Sequence, residues 1–265
     1  MAAVEGCIEK MTTTLTDTVQ YALPVGEESF PMNPLIGQVV RLEFLGKIHC
    51  VHCGRKTNKS FSQGHCFPCM RSLARCDMCI VKPETCHYDQ GTCREPEWGE
   101  EYCMQPHTVY LANSSGIKVG ITRQPQQRTR WMDQGATQAL PILTVQQRLD
   151  AGLVEVAMKG FVSDKTDWRK MLRGEAELRD MIQVRDELFE KVGEKLLGEK
   201  LPDAEVLHIR YPVLEYPGKV RSHNLDKEPS LEGTLMGIKG QYLIFDTAVI
   251  NMRKYTGYML RVNAG

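Results

Sequence analysis

Residues 107–136 read HTVYLANSSGIKVGITRQPQQRTRWMDQGA, and the reading of the chain's centre turns on them. Two short runs of strand formers, Val109-Tyr110-Leu111 and Ile117-Lys118-Val119-Gly120-Ile121, flank Asn113-Ser114-Ser115-Gly116. Gly and Asn tolerate the positive φ of tight hairpin loops, so the stretch predicts a β-hairpin. Lys118, Arg123, Arg128 and Arg130 then precede the next acidic residue, Asp133. Four cations against a hairpin make a phosphate-binding surface, although an ordinary solvated hairpin would carry the same charges. Beyond Pro125, residues 128–131 open a short helix in which Trp131 reads as a packing residue.

Working outward toward the C-terminus, residues 146–158 carry apolar side chains at 149, 153, 154, 157 and 158, a helical spacing with Glu155 beside the stripe. Residues 168–200 predict further helix. Leu178, Met181, Ile182, Leu188, Phe189, Val192 and Leu196 lie on its apolar face, and Gly174 and Gly193 are candidate breaks. Pro202 ends this region, and strands are expected at 206–211, 233–238, 241–245 and 258–262, with a hairpin turn at Gly237-Ile238-Lys239-Gly240. Together with strands at 19–25 and 39–45 they could close a small barrel, an architecture that binds single-stranded nucleic acid through aromatics. Tyr211, Tyr216, Tyr242, Tyr255 and Tyr258 are available for that, but tyrosines in strands usually pack.

Thr108-Val109-Tyr110 and Lys118-Val119-Gly120 resemble the paired signatures of the GIY-YIG nuclease superfamily, the second in its divergent Lys-Ile-Gly form. The resemblance covers the hairpin and the helices that follow it. It places the family's arginine at Arg128 and its glutamate at Glu155. It implies that Tyr110 helps activate a water, Arg128 neutralises phosphoryl charge and Glu155 holds Mg2+ or Mn2+, with Lys118 in the place of the second tyrosine. Met132 stands where many active members have His or Tyr. The longer pattern, with TRWMDQGA, SDKTDWRKML and GIKGQYLIFD, resembles a family of uncharacterised bacterial proteins with this divergent core.

Nine of ten cysteines fall between Cys50 and Cys103. Cys50-x2-Cys53 and Cys66-x2-Cys69 are two knuckles twelve residues apart, a zinc-ribbon-like spacing that sets four thiolates around one tetrahedral Zn2+. Gly54 and Gly64 supply the sharp turns beside them. Cys76, Cys79, Cys86, Cys93 and Cys103 suggest a second zinc, but five ligands compete for four places, and His87 and His107 are possible substitutes. With no open coordination place, the first site reads as structural. His49, His52 and His65 nearby read as surface or supporting residues. Cys7 stands alone.

The whole chain has 33 Lys and Arg against 33 Asp and Glu, so nucleic-acid binding needs a local patch rather than a global field. No apolar run approaches the roughly 20 residues of a membrane span, and the N-terminal residues do not read as a signal peptide. A cytoplasmic location follows, where clustered cysteines point to metal rather than disulfides. The expected class is α+β. It comprises a β-rich segment (1–48), a cysteine module (49–106), a GIY-YIG-like domain (107–170), a helical segment (171–202) and a β-rich segment (203–265). The expected function is zinc-dependent binding of DNA or RNA, with or without phosphodiester cleavage. The competing expectation is a zinc-dependent adaptor for protein partners.

Overall fold

A computed structural model describes residues 2–163 and 165–264; Asp164, inside the SDKTDWRKML stretch, lies outside them. In chain order the elements begin with β1 (Ala2–Cys7), β2 (Thr12–Leu15), β3 (Val19–Val25), β4 (Glu28–Pro31), β5 (Val39–His49), β6 (Lys56–Thr57) and α1 (Phe67–Ser72). Next come α2 (Pro96–Tyr102), β7 (His107–Asn113), β8 (Ile117–Arg123), α3 (Gln127–Asp133), β9 (Gln138–Val145) and α4 (Arg148–Met158). They are followed by α5 (Trp168–Leu172), α6 (Met181–Val192), β10 (Glu199–Lys200) and β11 (Leu207–His208). Then come β12 (Ser230–Lys239), β13 (Tyr242–Phe245), β14 (Val249–Asn251) and β15 (Tyr258–Ala264). The mixed α+β chain forms two compact units: Met1–Met70 with Leu172–Gly174 and Arg210–Gly265, and Arg71–Met171 with Glu175–Ile209. Among the described residues no helix is long and apolar enough to cross a membrane.

Unit 1 is β-rich. One antiparallel sheet runs in the order β1-β15-β5-β12-β13-β14 with β6 added to β5, and a second joins β2, β3 and β4. Period-2 burial makes these strands: β3 buries Val19, Tyr21, Leu23 and Val25, and β15 buries Tyr258, Leu260, Val262 and Ala264. The barrel expected from the sequence does not close among the described residues, because the sheet order starts at β1 and stops at β14. The chain after β1 enters the separate β2-β3-β4 sheet, leaving the long sheet open. The hairpin turn is also displaced. Gly237, Ile238 and Lys239 lie within β12, Lys239 pairs with Tyr242, and the chain reverses at Gly240-Gln241. Lys239 is buried against the rings of Tyr211 and Tyr216, 5.6 and 5.1 Å away, so those tyrosines pack within the unit.

Unit 2 holds a sheet in the order β10-β9-β7-β8, with β11 also on β9. The hairpin is as expected: β7 and β8 pair antiparallel from His107↔Arg123 to Asn113↔Ile117 around the Ser114-Ser115-Gly116 turn. β7 is buried at every position because the sheet is covered on both faces. Val109 and Leu111 face a core formed with Val154 and Met158 of α4 and Met181, Leu188 and Val192 of α6. Tyr110 instead meets Trp131 of α3, edge to face at 5.9 Å.

Two helical expectations are corrected. In α4 the inner stripe is Ala151, Val154 and Met158, while Leu153 is 44% exposed. The 168–200 region is broken into two helices, as the candidate breaks at Gly174 and Gly193 allow. Gly174 and Gly193 take φ of +74° and +57° at the breaks, and Leu178 falls outside both helices, 69% exposed. Asp180 caps α6, its carboxylate accepting from the N–H groups of Ile182 and Gln183. The strand expected at 206–211 shrinks to β11, which pairs with β9 of unit 2 rather than with the other tail strands.

Candidate functional site

Unit 1 gathers the first four cysteines. Cys50 ends β5's ladder region, Gly54 N–H donates to Cys50 O at 2.9 Å to close one knuckle, and Met70 N–H donates to Cys66 O at 2.9 Å across the other. Gly54 and Gly64 take φ of +69° and +116°, the left-handed backbone that these turns need. The sulfurs of Cys50, Cys53, Cys66 and Cys69 all lie within 4.8 Å of one another. A zinc–sulfur distance of about 2.3 Å requires tetrahedral edges of about 3.8 Å, and Cys53 Sγ lies 3.7 Å from Cys66 Sγ. The donor set therefore fits Zn2+. Burial opposes the Cys50 thiolate, but backbone N–H groups of Cys53, Cys66 and His52 outweigh it and bring the thiol down to about 6. Burial and the neighbouring sulfurs push Cys69 up. His65 is buried with Nδ1 on Ser62 O at 3.1 Å, and His49 Nδ1 faces Gly54 O at 3.2 Å, so both support the loops rather than complete the site.

Unit 2 carries a cleft of ≈ 330 Å³ along β8. Tyr110, Lys118, Arg130 and Glu155 all line it. Its other cations are Arg75, Arg123 and Arg148, and Glu155 is its one carboxylate among the described residues. Five cations facing one carboxylate, in a chain with no net charge, make a strongly positive concavity. The Tyr110 hydroxyl accepts from Gln134 Nε2 at 3.3 Å and sits beside the Arg130 guanidinium. That oxygen pushes Arg130 further up, against the opposing effect of burial. Arg123 stacks on Tyr102 at 4.3 Å, and Tyr102 lies parallel to Trp98 at 4.6 Å, so one wall is a layered aromatic face.

Arg128 is where the structure and the sequence reading part. Arg128 and Arg130 are both exposed on α3, but only Arg130 lines the cleft. The reason is helical phase. Gln127 donates to Thr108 Oγ1 at 2.5 Å, Trp131 packs on Tyr110 and Gln134 reaches the Tyr110 hydroxyl. Residues 127, 131 and 134 define the inner face, 130 shares it, and 128 lies about 100° away. Arg123 lines the cleft as well; Met132 is buried and takes no part in it. Sequence reasoning missed Arg75 and Arg148, isolated cations brought in from a cysteine-rich loop and a helix start. It also missed the Trp98–Tyr102 stack, whose i,i+4 spacing was the available signal.

A family model described as "Protein of unknown function (DUF2797)" matches residues 37–260. The chain belongs to the DUF2797 family. No curated protein and no solved structure matches the chain. The DUF2797 description names no activity, so the chemistry of this member rests on its two sites. The match spans both the four-cysteine centre and the cleft-bearing unit, which makes them parts of one DUF2797 architecture.

Proposed function

We propose that this protein binds nucleic acid through the unit 2 cleft, with the unit 1 zinc as a structural support, and that the chemistry of the cleft is metal-dependent phosphodiester hydrolysis. The observation that carries this reading is the convergence of Tyr110, Lys118, Arg130 and Glu155 on one cationic cavity. Their order along the chain resembles that of GIY-YIG nucleases, with Arg130 taking the place that spacing alone assigned to Arg128. Lys118 and Arg130 offer point and forked charges to the phosphoryl oxygens. The Tyr110 oxygen, held by Gln134 and beside Arg130, is the group positioned to accept a hydrogen bond from an attacking water and, once it has given up its own proton to solvent, to take the water's proton as the phenolate. The Trp98–Tyr102 face suits an unstacked base next to the phosphate.

Glu155, whose side chain is only 13% exposed, would hold the Mg2+ or Mn2+. Such an ion binds through one or two carboxylates, water and substrate phosphate, so a single glutamate fits when the phosphate is present. When bound, it polarises the phosphoryl group and stabilises the leaving oxygen. Fluorescence anisotropy with labelled single- and double-stranded DNA and RNA, titrated with salt, tests the reading. Affinity that falls steeply with salt for at least one of them is expected. Absence of binding to all four would sink it and leave a protein partner as the ligand class.

A further inference from the structure

Nothing in the cleft uses the five later cysteines, and they do not behave as five equivalents. Cys79, Cys86, Cys93 and Cys103 line one small enclosed cavity in unit 2, together with Asp77 and His87. Cys76, three residues before Cys79, does not line it. The cavity measures ≈ 10 Å³ to a water-sized sphere, about the room of one water or one ion and far below that of an organic ligand. We infer that Cys79, Cys86, Cys93 and Cys103 form a second four-thiolate zinc centre.

Three observations favour these ligands. Cys79 and Cys103 are buried and Cys86 and Cys93 half-buried, so the four sulfurs share an enclosed setting in which soft donors select zinc. Among the described residues, the ligand atoms here that all lie within 4.8 Å of one another are those of Asp77, Cys79 and His87, so the four sulfurs have to draw together around the ion, whereas Asp77 and His87 each already have a partner. The Asp77 carboxylate holds Arg94 Nε at 2.6 Å, and His87 Nδ1 meets Thr92 Oγ1 at 2.8 Å. The preference of zinc for soft thiolates over a carboxylate already held by an arginine makes them the polar surround of the centre rather than its ligands. Finally, between Ala74 and Gln90 the chain makes only single 3-10 turns, at Ala74–Cys76, Met78–Ile80, Pro83–Thr85 and Tyr88–Gln90. Such a segment has little core of its own, and a metal crosslink between its turns and α2's end supplies the missing stability. Gly99 of α2 belongs to this construction: a Cβ there would stand 3.2 Å from Cys93 Sγ and 2.7 Å from the Tyr88 ring.

The centre also explains how the cleft keeps Arg148 in place. Arg148 N–H donates to Cys103 O at 2.8 Å, and its Nη2 donates to Ile80 O, next to Cys79, at 2.7 Å. A zinc with four thiolates carries two negative charges, a suitable neighbour for that guanidinium. Arg148 is thus a positioning link between cysteine cage and cleft. The metal inference stands whether or not the cleft acts on nucleic acid.

The test is metal content of the full chain by elemental analysis, joined to cobalt substitution. Wild type should hold two zinc ions per chain, and both cobalt sites should show the intense sulfur-to-metal absorption and tetrahedral band positions of four-thiolate coordination. Cys50→Ser/Cys53→Ser should retain one ion, Cys79→Ser/Cys103→Ser one, and Cys76→Ser, Asp77→Asn and His87→Ala two. One zinc in wild type overturns the inference, and that measurement needs no variant to fold. Loss of an ion from Asp77→Asn or His87→Ala, or a cobalt spectrum with nitrogen or oxygen donors at the second site, overturns the four-thiolate assignment.

Discussion

Tyr110 and Gly120 face each other across the β7–β8 ladder, and a Cβ at position 120 would stand 2.6 Å from the Tyr110 hydroxyl. The glycine of the Lys118-Val119-Gly120 signature is therefore a steric requirement: its missing side chain is the space through which the tyrosine reaches the cleft. Gly120→Ala should displace the ring and cost about 1–3 kcal/mol, the usual penalty for overpacking. Urea denaturation of Gly120→Ala, Tyr110→Ala and the double variant checks this. The two changes should be strongly non-additive, because the alanine at 120 is harmless once the ring is gone. Additive losses would mean that the contact does not set Tyr110's position.

The four-cysteine cluster of unit 1 gives the second expectation. Cys50→Ser or Cys69→Ser should lose one equivalent of zinc and lower the thermal midpoint, because a structural metal contributes folding free energy directly. Elemental analysis with a thermal melt reads both effects. A variant that keeps its full zinc content and midpoint would remove Cys50, Cys53, Cys66 and Cys69 as the ligand set.

Arg130 and Arg128 provide an internal contrast two residues apart. Arg130→Gln should weaken nucleic-acid binding and reduce the slope of log affinity against log salt by about one, the loss of one phosphate contact. Arg128→Gln, outside the cleft lining, should change both by less. Salt titrations of the two variants decide the matter. A larger effect at Arg128 would return that residue to the role the signature spacing gave it.

What could be read from the chain and what could not divides by sequence distance. The hairpin was legible because Gly116, at φ +145°, follows two serines between two strand-forming runs, and the four-cysteine cluster because each Cys-x2-Cys knuckle is one turn long. That Tyr110 and Glu155 line one cleft is a matter of three-dimensional placement, which their order along the chain does not give. Strand β1 was not legible either: AAVEGC is a poor strand former, and it becomes one through pairing with β15 at the other end of the chain. The lack of a closed barrel among the described residues and the recruitment of Arg75 and Arg148 to the cleft are products of long-range packing. Periodicity in one segment carries no information about them.

Acid should expose His107. This side chain is completely buried; its Nδ1 donates to Gln105 O at 2.6 Å, leaving Nε2 buried with no hydrogen-bond partner. Burial pushes the imidazole down to about 4, reinforced by the Arg148 and Arg123 charges and only partly offset by the Gln105 carbonyl. The unfolded chain, with an ordinary value near 6.5, therefore binds a proton that the folded chain refuses. The stabilisation is complete above pH 6.5 and is lost as pH falls toward 4, by at most about 3 kcal/mol. Between pH 7 and 4.5 the urea midpoint of wild type should fall relative to that of His107→Phe. The difference between the two proteins separates His107 from thiolates that take up protons when they release zinc. Parallel curves would show that His107 does not titrate in this range.

Glu155 is the most exacting point of the functional reading. Its carboxylate is the one hard anionic donor among the described residues of a cleft otherwise lined by five cations. Glu155→Gln keeps the size of the side chain and removes the charge that a hard divalent cation needs. It should abolish Mg2+- or Mn2+-dependent cleavage while leaving zinc content and folding intact. Binding without metal should be unchanged or tighter, since a negative charge has left a phosphate site. Tyr110→Phe should also lower the cleavage rate, by about 10²–10⁴-fold if its oxygen takes the proton. Single-turnover assays on single- and double-stranded DNA and RNA compare these variants with wild type. Cleavage that survives Glu155→Gln would place the activity elsewhere. If wild type binds but cleaves none of the four substrates, the cleft is a binding site that keeps the phosphate-holding cations without the reaction.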